Sequence, residues 1–248
     1  MFHIKKGKGV ASFVENLSTY IDHTLLKADA TRKQILQLCQ EAKTYHFASV
    51  CVNPYWVATC KEALKDSEVK ICTVVGFPLG ATTSEVKAFE ARQAIANGAD
   101  EIDMVANLSF IQSGNQEALI QDIHAVVEAV GESGIVKVII ETCLLTNKEK
   151  SLATQAVIKA GAHFVKTSTG FSISGATVED IEQIKQVARN QIGIKAAGGI
   201  RTKKEAEKMI AAGATRLGTS GGVAIVHNDT SLSGYGKSTD AGIYQLPA

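Results

Sequence analysis

The chain has 248 residues, with 26 basic and 25 acidic side chains, 45% hydrophobic residues and an isoelectric point near 7.6. That length has room for one large α/β domain with a sizeable core, and a near-neutral balance without a dominant charge block leaves no electrostatic footprint for nucleic acid or an anionic membrane. Small molecules and other protein subunits are the expected partners.

MFHIKKGKGV at the start is followed by no apolar h-region, and no later stretch approaches the roughly 18 apolar residues of a membrane span. Cys39, Cys51, Cys60, Cys72 and Cys143 are scattered and form no C-x-x-C pair, which suits a reducing, cytoplasmic setting and argues against a zinc cage.

In chain order, residues 1–17 are predicted as an extra N-terminal helix. Eight short runs, most of them rich in β-branched residues, then read as strands: YIDHT, ASVCV, VKICTVV, EIDMV, VKVIIE, HFVKT, IGIKAA and TRLGT. Amphipathic stretches such as SEVKAFEARQAIANG and KKEAEKMIAAG lie between them, each closed by a glycine suited to a helix C-terminus. The local pattern ANGADEIDMV, KAGAHFVKTS, AAGATRLGTS repeats helix end, glycine and strand. Eight such units predict a single-domain (β/α)8 TIM barrel over residues 1–248, with a doubly wound open sheet as the alternative. Residues 228–248 are expected to form a polar, glycine-containing, flexible tail.

Barrel chemistry sits at the C-terminal ends of the strands, which selects Asp22, Thr24, Cys51, Asn53, Asp103, Glu141, Lys166 and Lys195. Lys166 and Lys195 end the neighbouring sixth and seventh strands, so their ammonium groups are expected to approach one another. A like charge and partial desolvation favour the neutral amine, and a neutral amine is the nucleophile that imine formation with a carbonyl requires. A single lysine at a strand end most often points into solvent. Two on adjacent inward-facing ends, with a carboxylate on a third, favour chemistry. That carboxylate is Asp103, which alternation in EIDMV places on one face with Glu101. It is positioned for proton transfer or for an ion pair with the lysines. Glu101 and Lys137 are expected deeper, as a structural ion pair. The glycine loops AAGGIR and GTSGG follow strands seven and eight, where barrels commonly hold phosphate on backbone N–H groups.

From YIDHTLLK through CVNP, VVGFPLG, GADEIDMV, KVIIET, FVKTSTGF and KAAGGIR to RLGTSGG, the chain resembles the deoxyribose-phosphate aldolase family. The resemblance implies a class I aldolase of deoxyribonucleoside catabolism, without metal or other cofactor. It would reversibly cleave 2-deoxy-D-ribose 5-phosphate to D-glyceraldehyde 3-phosphate and acetaldehyde, as a homodimer. It makes Lys166 the Schiff-base lysine, Lys195 the lysine that tunes it, and Asp103 the proton-transfer group. Asp22 and Thr24 would contact substrate hydroxyls, and Cys51 would line the pocket. Thr169, Gly170, Gly198, Gly199, Gly218 and Ser220 lie in the motifs that hold the phosphosugar. Two departures stand out: Phe171 replaces a lysine that some members carry after STG, and Tyr235 and Tyr244 are the candidates for a tail tyrosine that reaches the site in some members. The alternatives are another imine-forming barrel aldolase or transaldolase, and a catalytically silent phosphosugar-binding barrel.

Overall fold

The computed structural model describes residues 16–229 apart from 133, together with 231, 234 and 235. The extra helix expected for residues 1–17 falls almost wholly outside the described residues, and Leu17 opens a short 3-10 turn, Leu17–Tyr20.

All eight expected strands form: β1 (Ile21–Leu25), β2 (Ser49–Val52), β3 (Lys70–Val75), β4 (Glu101–Val105), β5 (Ile135–Ile139), β6 (Phe164–Lys166), β7 (Gly193–Ala197) and β8 (Arg216–Thr219). Each pairs in parallel with the next, and β8 pairs with β1. The sheet is therefore a closed (β/α)8 barrel, and the doubly wound alternative is excluded. Its helices are α1 (Arg32–Tyr45), α2 (Val57–Ala63), α3 (Ser84–Ala96), α4 (Leu108–Gln112), α5 (Gln116–Val130), α6 (Asn147–Lys159), α7 (Val178–Ala188), α8 (Lys203–Ala212) and α9 (Gly222–His227).

Threonine starts most of the long helices. Thr31, Thr83, Thr146, Thr177 and Thr202 accept hydrogen bonds from first-turn N–H groups, with reciprocal capping boxes through Gln34, Glu149 and Glu205. This satisfies N–H groups that a helix start leaves without intrahelical partners. At the other ends, Gly98, Gly161 and Gly213 take the positive φ that the repeated Ala/Gly corners predict.

Alternation along the strands separates two cores. Ile21, Val50, Ile71, Ile102, Met104, Val136, Val138, Val165, Ile194 and Leu217 belong to the large apolar layer between sheet and helices. Leu26, Cys51, Cys72 and Val74 form a separate small cluster within the barrel. Many of the other inward positions are charged, including Asp22, Glu101, Asp103, Lys137, Lys166, Lys195 and Arg216, unlike the branched aliphatic layers that usually fill such barrels.

One buried ion pair outside the barrel braces a loop near its mouth. Lys87 on α3 donates to Asp122 Oδ2 on α5 at 2.7 Å, and Ser84 donates to the other oxygen at 2.9 Å. Glu90, also on α3, accepts from Gly76 N–H at 2.7 Å and so fastens the turn after β3 to the same helix. Both Lys87 and Asp122 are 0% exposed, so removing one strands the other charge. Lys87→Ala is expected to cost about 3–5 kcal/mol in urea unfolding, while Lys87→Met combined with Asp122→Leu costs less than either single change. A single-variant loss below about 1 kcal/mol would contradict this account of the brace.

Candidate active site

The register brings the expected residues together. Lys166 pairs directly with Lys195 across β6 and β7, and Asp103 with Lys137 across β4 and β5. Parallel register partners share a face, so all four side chains enter the barrel. There Asp103 is the common acceptor: Oδ2 takes hydrogen bonds from Lys166 Nζ at 2.8 Å and Lys195 Nζ at 2.7 Å, and Oδ1 from Lys137 Nζ at 2.9 Å. The two lysines expected to repel each other thus have a carboxylate oxygen between them.

The three lysines are held unequally. Lys137 also meets Glu101 at 2.5 Å and Asp22 at 3.6 Å, and Lys195 also meets Asp22 at 2.5 Å. Lys166 meets only Asp103 among the described carboxylates. Its side chain is also 4% exposed, against 0% for the other two, so it alone touches the mouth. The expected Glu101–Lys137 pair is present, but it is one edge of a larger network. Arg216 enters from β8, donating to Asp22 Oδ1 at 2.7 Å and to Glu101 Oε2 at 3.2 Å.

The electrostatics follow from this packing. Burial pushes the Asp103 carboxyl up, yet the ammonium groups of Lys137, Lys166 and Lys195 outweigh it and hold Asp103 well below the usual carboxylate range. Asp22 is likewise held below that range, with burial opposed by Lys195, Lys137 and Arg216. Burial pulls Lys195 and Lys137 down, but Asp103 and its fellow carboxylates raise both above the ordinary lysine value. Asp103, Asp22 and Lys195 are therefore a fixed charge set.

Two residues sit deeper than expected. Asp22 is 0% exposed, with its oxygens against Lys195 and Arg216. Its place is beneath Lys195, and Thr24 Oγ1 donates to its carbonyl at 2.8 Å. Gly218 lies in β8, where an added Cβ would stand 3.0 Å from Lys195 Cε. It leaves room for that lysine and takes no part in a loop. Cys51 is wholly buried beside Cys72, a thiol that burial pushes well up and that donates to Asp103 Oδ1 at 3.1 Å.

The loops match their expected positions more closely. After β6, Thr169 N–H and hydroxyl both donate to Glu141, two residues beyond the end of β5. Gly170, Gly198 and Gly199 all have φ near +80°. An added Cβ at Gly198 would lie 2.9 Å from Gly175 Cα, so glycine is what lets the β6 and β7 loops touch, whereas Gly170 and Gly199 face open space. After β8, the Ser220 carbonyl accepts from Tyr235 N–H at 3.2 Å. The Tyr235 hydroxyl runs to Glu41 on α1, which also binds His23, and so lies on the outer side of β1. Tyr244 lies outside the described residues. Phe171 packs edge-on against Phe77 with centroids 5.2 Å apart.

Cys51, Cys72 and Asp103 bring potential ligand atoms within 4.8 Å of one another, as do Asp22, Cys72 and Glu101. Lys137 Nζ already lies 3.4 Å from Cys72 Sγ and donates to both Asp103 and Glu101. Ammonium groups thus hold the places a cation would take.

A barrel with a lysine at its mouth, backed by a carboxylate and a second lysine, is equipped for imine chemistry on a carbonyl substrate. Residues 17–229 match the model of the family described as DeoC/LacD family aldolase. The chain is 57% identical to a deoxyribose-phosphate aldolase of Geobacillus sp. (strain WCH70), covering 89% of this chain and 99% of that one. It is 60% identical to one of Streptococcus gordonii, covering 88% and 99%. Among solved structures, the tetrameric deoxyribose phosphate aldolase of Aeropyrum pernix superposes with a TM-score of 0.81 at 35% identity, covering 88% of this chain and 92% of that one. The chain belongs to the DeoC/LacD family of aldolases.

Because Asp22 and Asp103 have folded-state values below the unfolded aspartate value of about 3.9, the stability they contribute is complete above that pH and is lost as pH falls through the depressed values. Unfolding free energy should decline below about pH 4, by up to about 1.4 kcal/mol per pH unit for each group. Urea titrations from pH 6 to pH 2.5 measure this. Asp22→Asn should flatten the slope, and an unchanged slope would remove Asp22 from the account.

Proposed function

We propose that the protein is a class I aldolase that reversibly cleaves 2-deoxy-D-ribose 5-phosphate into D-glyceraldehyde 3-phosphate and acetaldehyde, with Lys166 as the Schiff-base residue. The observation that carries this reading is the unequal holding of the three lysines. Lys166 has the fewest carboxylate partners and the only side chain of the three with any exposure, while Lys137 and Lys195 are wholly buried.

In the cleavage direction, neutral Lys166 Nζ adds to the C1 aldehyde of the open-chain sugar, and loss of water leaves a protonated imine. The C3 hydroxyl gives up its proton, the C2–C3 bond breaks, and its electron pair flows into the imine to form an enamine. The C3 fragment departs as D-glyceraldehyde 3-phosphate. Protonation of the enamine at C2 and hydrolysis release acetaldehyde and restore the amine. Asp103 Oδ2, shared by Lys166 and Lys195, is the relay for these protons. The ammonium groups keep it ionised at rest, and its place beside Lys166 Nζ lets it hand protons on through water without holding them. Lys195 stays charged and holds Asp103 in place. The resemblance adds a cytoplasmic homo-oligomer, and the described residues include no helix long and apolar enough to cross a membrane.

Borohydride reduction in the presence of acetaldehyde, followed by peptide mass spectrometry, tests the assignment. A two-carbon adduct on Lys166 is expected, together with loss of at least about 10³-fold in kcat for Lys166→Ala in folded protein. An adduct confined to another lysine, or near wild-type turnover of the variant, rules the assignment out.

A further inference from the structure

Glu141 stands two residues past β5, before the 3-10 turn Thr142–Leu144, in a conformation that glutamate rarely adopts, with φ 53° and ψ 64°. Non-glycine residues in this left-handed region carry strain that persists only where surrounding contacts impose it, and such residues cluster at functional sites. Its carboxylate is 3% exposed and takes no part in the Asp103 network. Instead both oxygens turn to the loop after β6: Oε1 accepts from Thr169 N–H at 3.2 Å, and Oε2 accepts from the Thr169 hydroxyl at 2.5 Å. Thr169 Oγ1 in turn accepts from Phe171 N–H at 3.0 Å. On the backbone, Thr142 N–H donates to Thr167 O at 2.9 Å and secures the same junction.

The chain Glu141 carboxylate, Thr169 hydroxyl, Phe171 N–H fixes the orientation of Gly170, the residue between the two bonded amides. Gly170 has open space on its Cα and lies against Gly198 of the β7 loop, whose added Cβ would be 3.8 Å from Gly170 Cα. The Phe171 amide is thus engaged within the turn. Burial pushes the Glu141 carboxyl up, opposed by its bonds to Thr169.

We infer that Glu141 is a positioning residue that sets the β6 loop at Thr169 and Gly170 against the β7 glycines, and thereby tunes selectivity for the phosphorylated end of the substrate. The inference rests on the aldolase reading and goes beyond it by assigning phosphate selectivity to a side chain just past β5.

The test compares kcat/KM for 2-deoxyribose 5-phosphate with that for unphosphorylated 2-deoxyribose in the wild type, Glu141→Gln, Glu141→Ala and Thr169→Val. The ratio of the two is expected to fall about tenfold in Glu141→Ala, through KM for the phosphorylated sugar, and less in Glu141→Gln, which keeps one acceptor oxygen. Thr169→Val preserves side-chain shape, removes the middle of the hydrogen-bond chain, and carries the test if Glu141→Ala fails to fold. Weaker competition by inorganic phosphate in the same variants is expected alongside. Equal losses on both sugars, or an unchanged ratio, overturns the inference. Acetaldehyde trapping on Lys166 in each variant keeps the two readings apart: absence of the adduct in the wild type defeats the aldolase assignment, whereas an adduct with an unchanged ratio defeats only the role of Glu141.

Discussion

The site depends on one carboxylate shared among three lysines. Asp103 accepts from Lys137, Lys166 and Lys195 within 2.9 Å, inside a barrel where each of these groups is 3% exposed or less. At an effective dielectric of about 20, opposite unit charges about 4 Å apart attract by roughly 4 kcal/mol. Without Asp103 the lysines would face one another across a space that solvent barely enters. Lys137, Lys166, Lys195 and Arg216 supply four cations, set against the three carboxylates of Asp22, Glu101 and Asp103. Much of the interior of this barrel is thus an ion lattice where an aliphatic layer would ordinarily stand, and most of the apolar packing is on the outer face of the sheet.

Closure of the barrel makes the lattice possible. Lys166 and Lys195 meet because β6 and β7 are in register at those residues, and Asp103 reaches them from β4 across the interior. A slip of one residue in any of these strands would turn its charged side chain into the apolar layer under the helices. That penalty makes the register self-enforcing: outward positions are apolar on every strand except for residues such as His23, which finds Glu41 on α1. The threonine caps and glycine corners set where each helix starts and stops, and so where each strand delivers its last residue.

Much of this was legible in the sequence, and the limits have a physical reason. Eight strand-like runs with glycine corners are local signals, and all eight strands form. Alternation and strand order suffice to bring Lys166, Lys195 and Asp103 onto one face, although only Lys166 ends its strand and Lys195 and Asp103 lie in the middle of β7 and β4. Beyond the Asp103–lysine and Glu101–Lys137 pairs, contacts across the barrel interior were not legible, since they depend on stagger and tilt that no local pattern encodes. Arg216 on Asp22, Cys72 on Asp103 and the depth of Asp22 belong to this group. Gly218 looked like part of a glycine loop, and only the position of Lys195 shows it as space left for a side chain. Glu141 was visible as a polar strand end, but its left-handed backbone and its grip on Thr169 arise from how β5 and β6 finish together.

The same lattice gives each lysine a separate part. A group that must alternate between amine and imine has to give up its charge in every turnover, and the cost of doing so rises with every carboxylate that holds it. Lys137 and Lys195, each against at least two carboxylates, would leave buried anions unpaired if they became neutral. Lys166 would leave only Asp103 short of one partner, and that carboxylate keeps two others. The surplus cation in a lattice of four against three makes the loss of one positive charge a move toward balance. Lys166 is therefore where that loss costs the lattice least, and it is also where the barrel opens to a carbonyl.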